Sequence, residues 1–149
     1  MSLVKVMLIG DEVPFVQTLA KRLVQRGLVV VPAYNGPEAL ELMAKDPSVD
    51  IVLLSVEMSG MDGMETLKRI KKTYPLVEVI LMAECECLEM AITAMKLGAY
   101  DYVLKPCDVD ELVAKVAQAE GKKAKQEEKI LEAKLKEIAL KSVQWDDSQ

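Results

Sequence analysis

Residues 50–74, DIVLLSVEMSGMDGMETLKRIKKTY, contain the unit from which the fold can be predicted. The run from Asp50 to Ser55 is short and apolar, which is typical of a strand that is buried on both faces of a sheet. After a loop, Leu67 and Ile70 recur at helical spacing between Met64 and Tyr74. A buried strand followed by a loop and a helix predicts one βα unit of a parallel sheet.

The same alternation extends through most of the chain. Strands are predicted at residues 4–9, 28–31, 50–55, 77–82 and 100–104, and helices at residues 13–26, 64–74 and 86–97, with two more starting at Pro37 and Asp108. Pro37 suits the first position of a helix, and Glu111 follows Asp108 at the spacing of a capping box. Five strands alternating with five helices predict an α/β protein with a parallel sheet that is covered on both faces.

In a sheet of this kind, ligands bind outside the carboxyl ends of the strands. Several residues predicted at those ends therefore form one candidate site: Gly10, Asp11, Glu12, Ser55, Glu57, Met82, Ala83, Glu84, Lys105 and Pro106.

Composition excludes several classes of protein. The 149 residues are 51% apolar and 29% charged, which fits one packed domain with a modest extension. The absence of histidine excludes histidine-based acid–base chemistry, histidine metal ligands and a phosphohistidine. A net charge of −5 argues against non-specific binding to nucleic acid. Neither a membrane-spanning apolar run nor a signal peptide is evident, so we expect a cytoplasmic protein.

The C-terminal residues 121–149 differ from the domain predicted over residues 4–120, and we expect them to form a charged helical extension. Residues 1–120 carry 12 basic and 18 acidic side chains, whereas the tail carries 7 and 6, so the acidity belongs to the domain. A narrow stripe repeats at spacings of four and three in the tail: Leu131, Leu135, Ile138, Ser142 and Trp145. The stripe fits a solvated continuation of the fifth helix, and it also fits a dimer seam or a partner-docking helix. No helix-turn-helix pattern follows residue 120, so a DNA-binding regulator is not predicted.

Four segments at the predicted strand ends resemble the receiver domain of bacterial response regulators, over roughly residues 4–118. They are MLIGDE at 7–12, AYNGPEAL at 33–40, LLSVEMSGMDG at 53–63 and GAYDYVLKP at 98–106. The resemblance implies the flavodoxin-like fold, a doubly wound sheet of five parallel strands with five helices. It also implies a role in two-component signalling, with a histidine kinase or another signalling protein as partner.

The resemblance further implies a site for phosphoryl transfer. Receivers accept a phosphoryl group on an aspartate after the third strand, and a lysine and Mg²⁺ neutralise the charge that develops. The metal is held by a carboxylate after the first strand, by the acceptor and by a backbone carbonyl. A hydroxyl after the fourth strand binds the phosphoryl oxygens, and an aromatic residue on the fifth strand reports the state.

This chain departs from that pattern at three of the chemical positions and at one loop proline. Gly10 replaces one member of the acidic pair, Ser55 replaces the acceptor aspartate, Ser59 replaces a loop proline, and Met82 is assigned to the position of the hydroxyl. The positions that keep the family pattern are Asp11 in the acidic pair, Glu57 for the backbone carbonyl, Tyr102 for the aromatic residue, and Lys105 with Pro106. A serine hydroxyl is not ionised near neutral pH, and no histidine exists to activate it.

We therefore interpret the chain as a divergent receiver that is not an enzyme, signals by protein–protein contact and needs no cofactor. Asp11 and Glu57 are candidates for a weak Mg²⁺ site, against the alternative that Asp11 and Glu12 are solvated carboxylates at a helix N-terminus. Two rival functions stay open at this point. One is a conventional phosphorylated receiver in which Ser55 is a tolerated or engineered change, and the other is a sensor based on cysteine redox or metal chemistry.

Two retained residues have alternative interpretations. Lys105 is expected to pair with Asp11 across the strand ends, and binding of an anion is the alternative. Tyr102 is either a working rotamer switch or a half-buried strand residue. The resemblance makes the face formed by the fourth helix, the fifth strand and the fifth helix the expected contact surface, and a homodimer is among the expected partners.

Three cysteines, Cys85, Cys87 and Cys107, follow the fourth and fifth strands. Their odd number favours reduced thiols in a cytosol over a disulfide framework. All three are expected near one edge of the sheet, where they could hold Zn²⁺ or form a redox pair. Against this, no fourth ligand is evident, and neighbouring glutamates would raise the pKa of the thiols. We therefore expect three ordinary small residues.

Overall fold

Five short apolar segments form one parallel sheet in the computed structural model, which describes residues 4–147 and the side chains of residues 4–142. The strands are β1 (Lys5–Ile9), β2 (Val29–Ala33), β3 (Ile51–Ser55), β4 (Glu78–Ala83) and β5 (Asp101–Leu104). They lie in the order β2-β1-β3-β4-β5, and each neighbouring pair is parallel. The predicted five-stranded, doubly wound α/β architecture is confirmed. Ser142 is the last stripe residue whose side chain is described, so the prediction for the side chain of Trp145 lies outside the described residues.

The helices are α1 (Val13–Gln25), α2 (Gly36–Lys45), α3 (Gly63–Thr73), α4 (Leu88–Lys96) and α5 (Val109–Asp147). Two predicted boundaries differ from the observed ones by two residues, and the others lie within one residue. Helix α4 begins two residues later than expected, because Cys87 has an extended backbone and precedes the first helical turn. Strand β2 continues to Ala33, whose carbonyl accepts a hydrogen bond from the N–H of Gly10 at 3.0 Å. Pro32 is tolerated in it because β2 lies at the edge of the sheet.

Helices cover both faces of the sheet, so two apolar layers form. On one face, Ile51 and Leu53 of β3 pack with residues of α1 and α5. On the other face, Val52 and Leu54 pack with residues of α2, α3 and α4. All five residues of β3 are therefore buried, including the polar Ser55 at its carboxyl end, which is 2% exposed.

The turn from β3 into α3 is tightly packed. A Cβ placed on Gly63 would lie 2.6 Å from the Cα of Val56, which is closer than side chains approach backbone atoms. Asp62 caps α3, because its carboxylate accepts a hydrogen bond from the N–H of Glu65 at 2.9 Å. Glycine at position 63 thus allows the helix to begin directly against the end of β3.

Helix α5 is a single helix of 39 residues, about 58 Å long. Asp108 caps it by accepting a hydrogen bond from the N–H of Glu111, as the predicted capping position requires. The helix passes residues 120 and 121 without a break, and two consecutive lysines still contact the domain there. Lys122 pairs with the buried Glu78 at 3.3 Å, and Lys123 pairs with Asp50 at 3.4 Å. Residues 127–142 are all exposed.

Within residues 4–147, no helix combines the length and the apolar character needed to cross a membrane.

A matched pair of glycine substitutions tests the packing at the start of α3. We expect Gly63→Ala to lower the free energy of unfolding by about 2–3 kcal/mol, because its Cβ would press on the backbone of β3. Gly121→Ala should instead raise it by about 0.5–1 kcal/mol, because position 121 is helical and a Cβ there meets nothing within 4 Å. Urea unfolding of both variants measures the difference. Equal effects at the two positions would contradict this account of the turn.

Candidate functional site at the carboxyl ends of the strands

The structure brings most of the predicted site residues together at one edge of the sheet. Gly10, Asp11 and Glu12 follow β1, Ser55 and Glu57 lie at the end of β3, and Lys105 follows β5. Only some of the expected pairs of side chains form between these loops.

Ser55 occupies the centre of this edge. A Cβ placed on Gly10 would lie 2.9 Å from its Oγ, so the two residues are direct neighbours. Among the described residues, none makes a hydrogen bond with the Ser55 hydroxyl, although that atom is buried. A neutral hydroxyl without an adjacent base is a weak nucleophile.

The carboxylate of Asp11 is held by the loop that follows β3. It accepts hydrogen bonds from the backbone N–H of Ser59 at 2.8 Å and from the Ser59 hydroxyl at 2.9 Å. These two bonds, the one from the backbone N–H first, lower the pKa of Asp11 below its usual value. One oxygen of Asp11 is thus already engaged by the protein.

Lys105 does not pair with Asp11 as the sequence led us to expect. Its ammonium lies 3.9 Å from a carboxylate oxygen of Glu12 and 4.7 Å from the ring centroid of Phe15. The pair does not form because the two side chains are held by different neighbours: Lys105 is nearly buried against α1, and Asp11 turns towards Ser59. Lys105 contributes only the smallest of the effects that lower the pKa of Asp11. The Lys105–Pro106 peptide bond is cis.

Glu57 and Glu84 complete an acidic surround. The Glu57 carboxylate accepts a hydrogen bond from the backbone N–H of Glu84 at 2.9 Å, and its second oxygen is buried without a partner among the described residues. A hydrogen bond between the Glu84 and Glu12 carboxyl groups, with the negative charges of Glu12 and Glu57, raises the pKa of Glu84. Glu12, Glu57 and Glu84 thus form an acidic cluster beside the ammonium of Lys105, which lies 3.9 Å from Glu12.

Met82 lies directly beside Ser55, its partner in the register of β3 and β4. Its side chain is fully buried and packs in the apolar layer on the α1 and α5 face of the sheet. The next residue, Ala83, ends β4 and packs on the opposite face, in the layer that also contacts Tyr102. Side chains alternate between faces along a strand, so Ser55 points to the same face as Leu53 and Met82. Neither Met82 nor Ala83 carries a hydroxyl.

Known proteins share this fold. The sequence profile of the response regulator receiver domain matches residues 6–117. The chain belongs to this family.

Full-length relatives contain more than a receiver. The chain is 39% identical over 115 residues to the DNA-binding transcriptional regulator NtrC of Escherichia coli (strain K12), which covers 76% of the chain and 24% of that protein. It is 38% identical over 138 residues to a putative response regulator NtrX-like of Rickettsia bellii (strain RML369-C), covering 91% of the chain and 29% of that protein. The receiver thus spans about a quarter of the length of these relatives.

Solved structures of receivers superimpose on nearly the whole domain. A response regulator receiver domain protein from Clostridium thermocellum has a TM-score of 0.78 and 32% identity, covering 82% of this chain and 98% of that one. The receiver domain of NtrX from Brucella abortus has a TM-score of 0.73 and 27% identity, covering 78% and 98%.

The residues of this receiver do not fit Mg²⁺ in the way that the family implies. The ion prefers several oxygen ligands in octahedral geometry. Here Gly10 offers no side chain, Ser55 offers a neutral hydroxyl, and Asp11 is hydrogen-bonded to Ser59. Within the described part of the chain, no three acidic or cysteine side chains are arranged so that they could hold a metal ion. The inward carboxylate of Glu57 is the one feature that favours a cation, and it already binds the N–H of Glu84.

Tyr102 bridges β5 and the loop before α4. Its hydroxyl donates a hydrogen bond to the backbone carbonyl of Cys85 at 2.8 Å, and partial burial raises its pKa. The ring packs against the apolar layer that contains Ala83. Tyr102 is thus a half-buried strand residue in this structure, and a switching role stays a prediction.

The three thiols do not converge. Cys87 and Cys107 line a cavity of about 560 Å³ between α4, β5 and α5, whereas Cys85 is exposed and is not among the lining residues. Burial, rather than neighbouring glutamates, is the main cause that raises the pKa of Cys107. Their role as a redox or metal sensor stays a prediction without further support.

The sequence does not predict the contacts that Ser59 and Glu84 make. Ser59 was noted only as the replacement of a proline, although a serine there restores a backbone N–H that proline lacks. Glu84 directly follows β4, and its N–H anchors Glu57. The signal that could have found Ser59 is the pairing of a lost proline with an isolated aspartate at the opposite strand end.

Substitutions at Ser59 test the restraint on Asp11. We expect Ser59→Ala to raise the pKa of Asp11, and Ser59→Pro to raise it further, because proline removes the N–H donor as well. A carboxyl group whose pKa is lowered by folding stabilises the folded state at pH values above its pKa in the unfolded chain. The loss of stability in these variants should therefore be seen at pH 7, and it should vanish as the pH falls through the folded-state pKa of Asp11. NMR titration of the Asp11 carboxyl carbon measures the pKa directly.

Ser48→Ala is the matched control, since Ser48 donates in the same manner to Asp46. Ser48, together with Lys5, lowers the pKa of Asp46 to about 2. This variant should raise the pKa of Asp46 and leave that of Asp11 unchanged. An unchanged titration of Asp11 in both Ser59 variants would show that the contact does not exist in solution.

Proposed function

We propose that this receiver acts in two-component signalling by contact with a partner protein, and that its output does not depend on phosphorylation at position 55. It is then a binding module rather than an enzyme, and it works without a resident metal. A histidine kinase or another signalling protein is the expected class of partner.

The buried hydroxyl at the end of β3 carries this proposal. Ser55 stands where a receiver needs an ionised carboxylate, and the described residues around it include no base that could remove its proton. The absence of a hydroxyl at Met82 and at Ala83 supports the same reading, because no side chain on this part of β4 could bind a phosphoryl oxygen.

The charge around the site supports the proposal independently. Asp11, Glu12, Glu57 and Glu84 face one ammonium, that of Lys105, so the site is already negative. A phosphoryl group would add further negative charge in a place where the metal-binding set is incomplete. Electrostatics therefore opposes the conventional reaction.

A contact surface is available beside this site. The outer face of α4 exposes Leu88, Ile92 and Met95, with exposed fractions of 75%, 45% and 50%, and Leu104 of β5 is 41% exposed nearby. Leu88 and Leu104 line the cavity between α4, β5 and α5. Clustered exposed apolar side chains of this kind are typical of protein-binding surfaces. They support signalling by contact.

Treatment with a small-molecule phosphodonor and Mg²⁺, followed by intact mass measurement, tests the proposal. We expect no gain of mass in the wild-type chain, because no acceptor carboxylate lies at position 55. A conventional receiver with an aspartate acceptor, treated in the same way, shows that the reagent is active. A stoichiometric gain of one phosphoryl group in the wild-type chain would favour the conventional alternative.

The variant Ser55→Asp separates the acceptor from the rest of the site. We expect it to accept a phosphoryl group only slowly compared with the conventional receiver, because Asp11 remains bound to Ser59 and β4 offers no hydroxyl. Rapid and complete phosphorylation of this variant would show that the acceptor alone is missing and that the surrounding pocket is competent.

A further inference from the structure

The far half of α5 exposes apolar side chains that its own domain does not cover. Leu131, Leu135 and Ile138 are 58%, 57% and 60% exposed, and they recur at spacings of four and three. Exposed leucines at this spacing along a charged helix are typical of a helix that packs against another helix.

The same spacing continues back into the domain half of α5, but there the residues are small. The line runs through Ala114, Ala117, Gly121, Ala124, Glu128, Leu131, Leu135 and Ile138. It lies on the side of α5 that faces away from the sheet, since the sheet side carries the buried Leu112, Val116 and Ala119. We call this line the outer stripe. A Cβ on Gly121 would meet nothing within 4 Å, so packing inside the domain does not explain the glycine.

The two halves of the outer stripe match each other when two copies of α5 run antiparallel. With residue 126 of each helix at the same level, Leu131 faces Gly121, Leu135 faces Ala117, and Ile138 faces Ala114. Each large side chain then meets a small one, which is how interdigitated helix packing fills space. In the parallel arrangement, leucine would face leucine and alanine would face alanine. The leucine layers would hold the two helices apart, and a gap would remain between the helices where alanine faces alanine.

Charge separates the two arrangements as well. In a parallel pair Glu128 would face Glu128 of the other copy inside the seam, whereas in the antiparallel pair it faces Ala124. Residues 122–142 carry seven lysines and four glutamates, a net charge of +3, while residues 1–120 carry −6. The antiparallel pair lays this basic segment along the acidic domain of the other copy, and the parallel pair lays it along an equally basic segment. At the edge of the seam, Glu120 comes next to Lys134 of the other copy, which is a favourable pair. Lys125 lies near Lys125 of the other copy, and Glu127 near Glu127, but both like-charged pairs are in solvent.

We propose that the receiver forms an antiparallel homodimer through the outer stripe of α5, in which the leucine-bearing half of each helix packs on the small-residue half of the other. Two consecutive lysines fix the direction in which the helix leaves the domain, through Lys122 with Glu78 and Lys123 with Asp50. Helix α5 therefore projects from the domain in a fixed direction, with its outer stripe accessible to another chain. The dimer goes beyond the contact-based function proposed above, because it adds a second copy of this chain as a partner on a different surface.

Sedimentation equilibrium of the full chain tests the association. We expect the wild-type protein to approach twice its monomer mass of 16.5 kDa as its concentration is raised. Leu135→Lys should weaken the dimer about 100-fold or more, because each dimer loses two buried leucines. Leu140→Lys is the matched control: Leu140 is 64% exposed but lies on the opposite side of the helix, so its substitution should leave the dimer intact. A monomeric wild-type chain, or equal effects of the two variants, would overturn the proposal.

A size swap tests the orientation. Ala117→Leu alone should weaken the dimer, because a leucine would then face Leu135 where only a small side chain fits. Combining Ala117→Leu with Leu135→Ala restores one large and one small residue in each layer, and the dimer should recover. In a parallel pair Ala117→Leu would add a leucine layer and strengthen association, which would overturn the antiparallel arrangement.

Disulfide cross-linking locates the contacts directly. In a background with Cys85, Cys87 and Cys107 replaced by serine, chains with Ala117→Cys are mixed with chains with Leu135→Cys and oxidised. We expect the mixed dimer to dominate, whereas homodimers of the Leu135→Cys chain would overturn the antiparallel arrangement. All three measurements omit phosphodonor, so their failure leaves the phosphoryl-transfer test of the proposed function unaffected.

Discussion

The burial of β3 between two layers of helices constrains the rest of the molecule. Five consecutive residues of this strand are buried, and the last of them, Ser55, is polar. A charged carboxylate at such a position is costly unless cations or hydrogen-bond donors surround it. A hydroxyl is far cheaper to bury, so a serine can occupy this position without cations or hydrogen-bond donors around it.

The polar groups in the loops around Ser55 bind one another. The Asp11 carboxylate is bound by Ser59, the Glu57 carboxylate by the N–H of Glu84, and the ammonium of Lys105 lies over Phe15 near Glu12. Polar groups that would contact a ligand in a phosphorylated receiver thus bind protein groups instead. A site of this kind resists rearrangement, because a ligand would have to replace existing hydrogen bonds and overcome the surplus of negative charge.

The fold could be predicted from sequence because the apolar period changes between strand and helix at each boundary, and because parallel strands bring their carboxyl ends to one edge. The partners of individual side chains could not. Lys105 was expected beside Asp11, but the Asp11 carboxylate accepts hydrogen bonds from the N–H and the hydroxyl of Ser59. Met82 pairs in register with Ser55, but residue spacing does not show that its side chain is fully buried in the apolar layer. Such outcomes depend on angstrom-scale geometry that residue spacing does not specify.

Helix α5 connects the site to the rest of any assembly, because it is continuous from Val109 to Asp147. A helix without a break transmits orientation: a rotation of its first turn against β5 rotates every later residue by the same amount. The lysine contacts to Glu78 and Asp50 oppose such a rotation by fixing the helix at the amino-terminal edge of the sheet. Since Glu78 is 1% exposed, its charge depends on the ammonium groups of Lys71 and Lys122 for compensation. The buried glutamate therefore holds the projecting helix in one direction relative to the sheet.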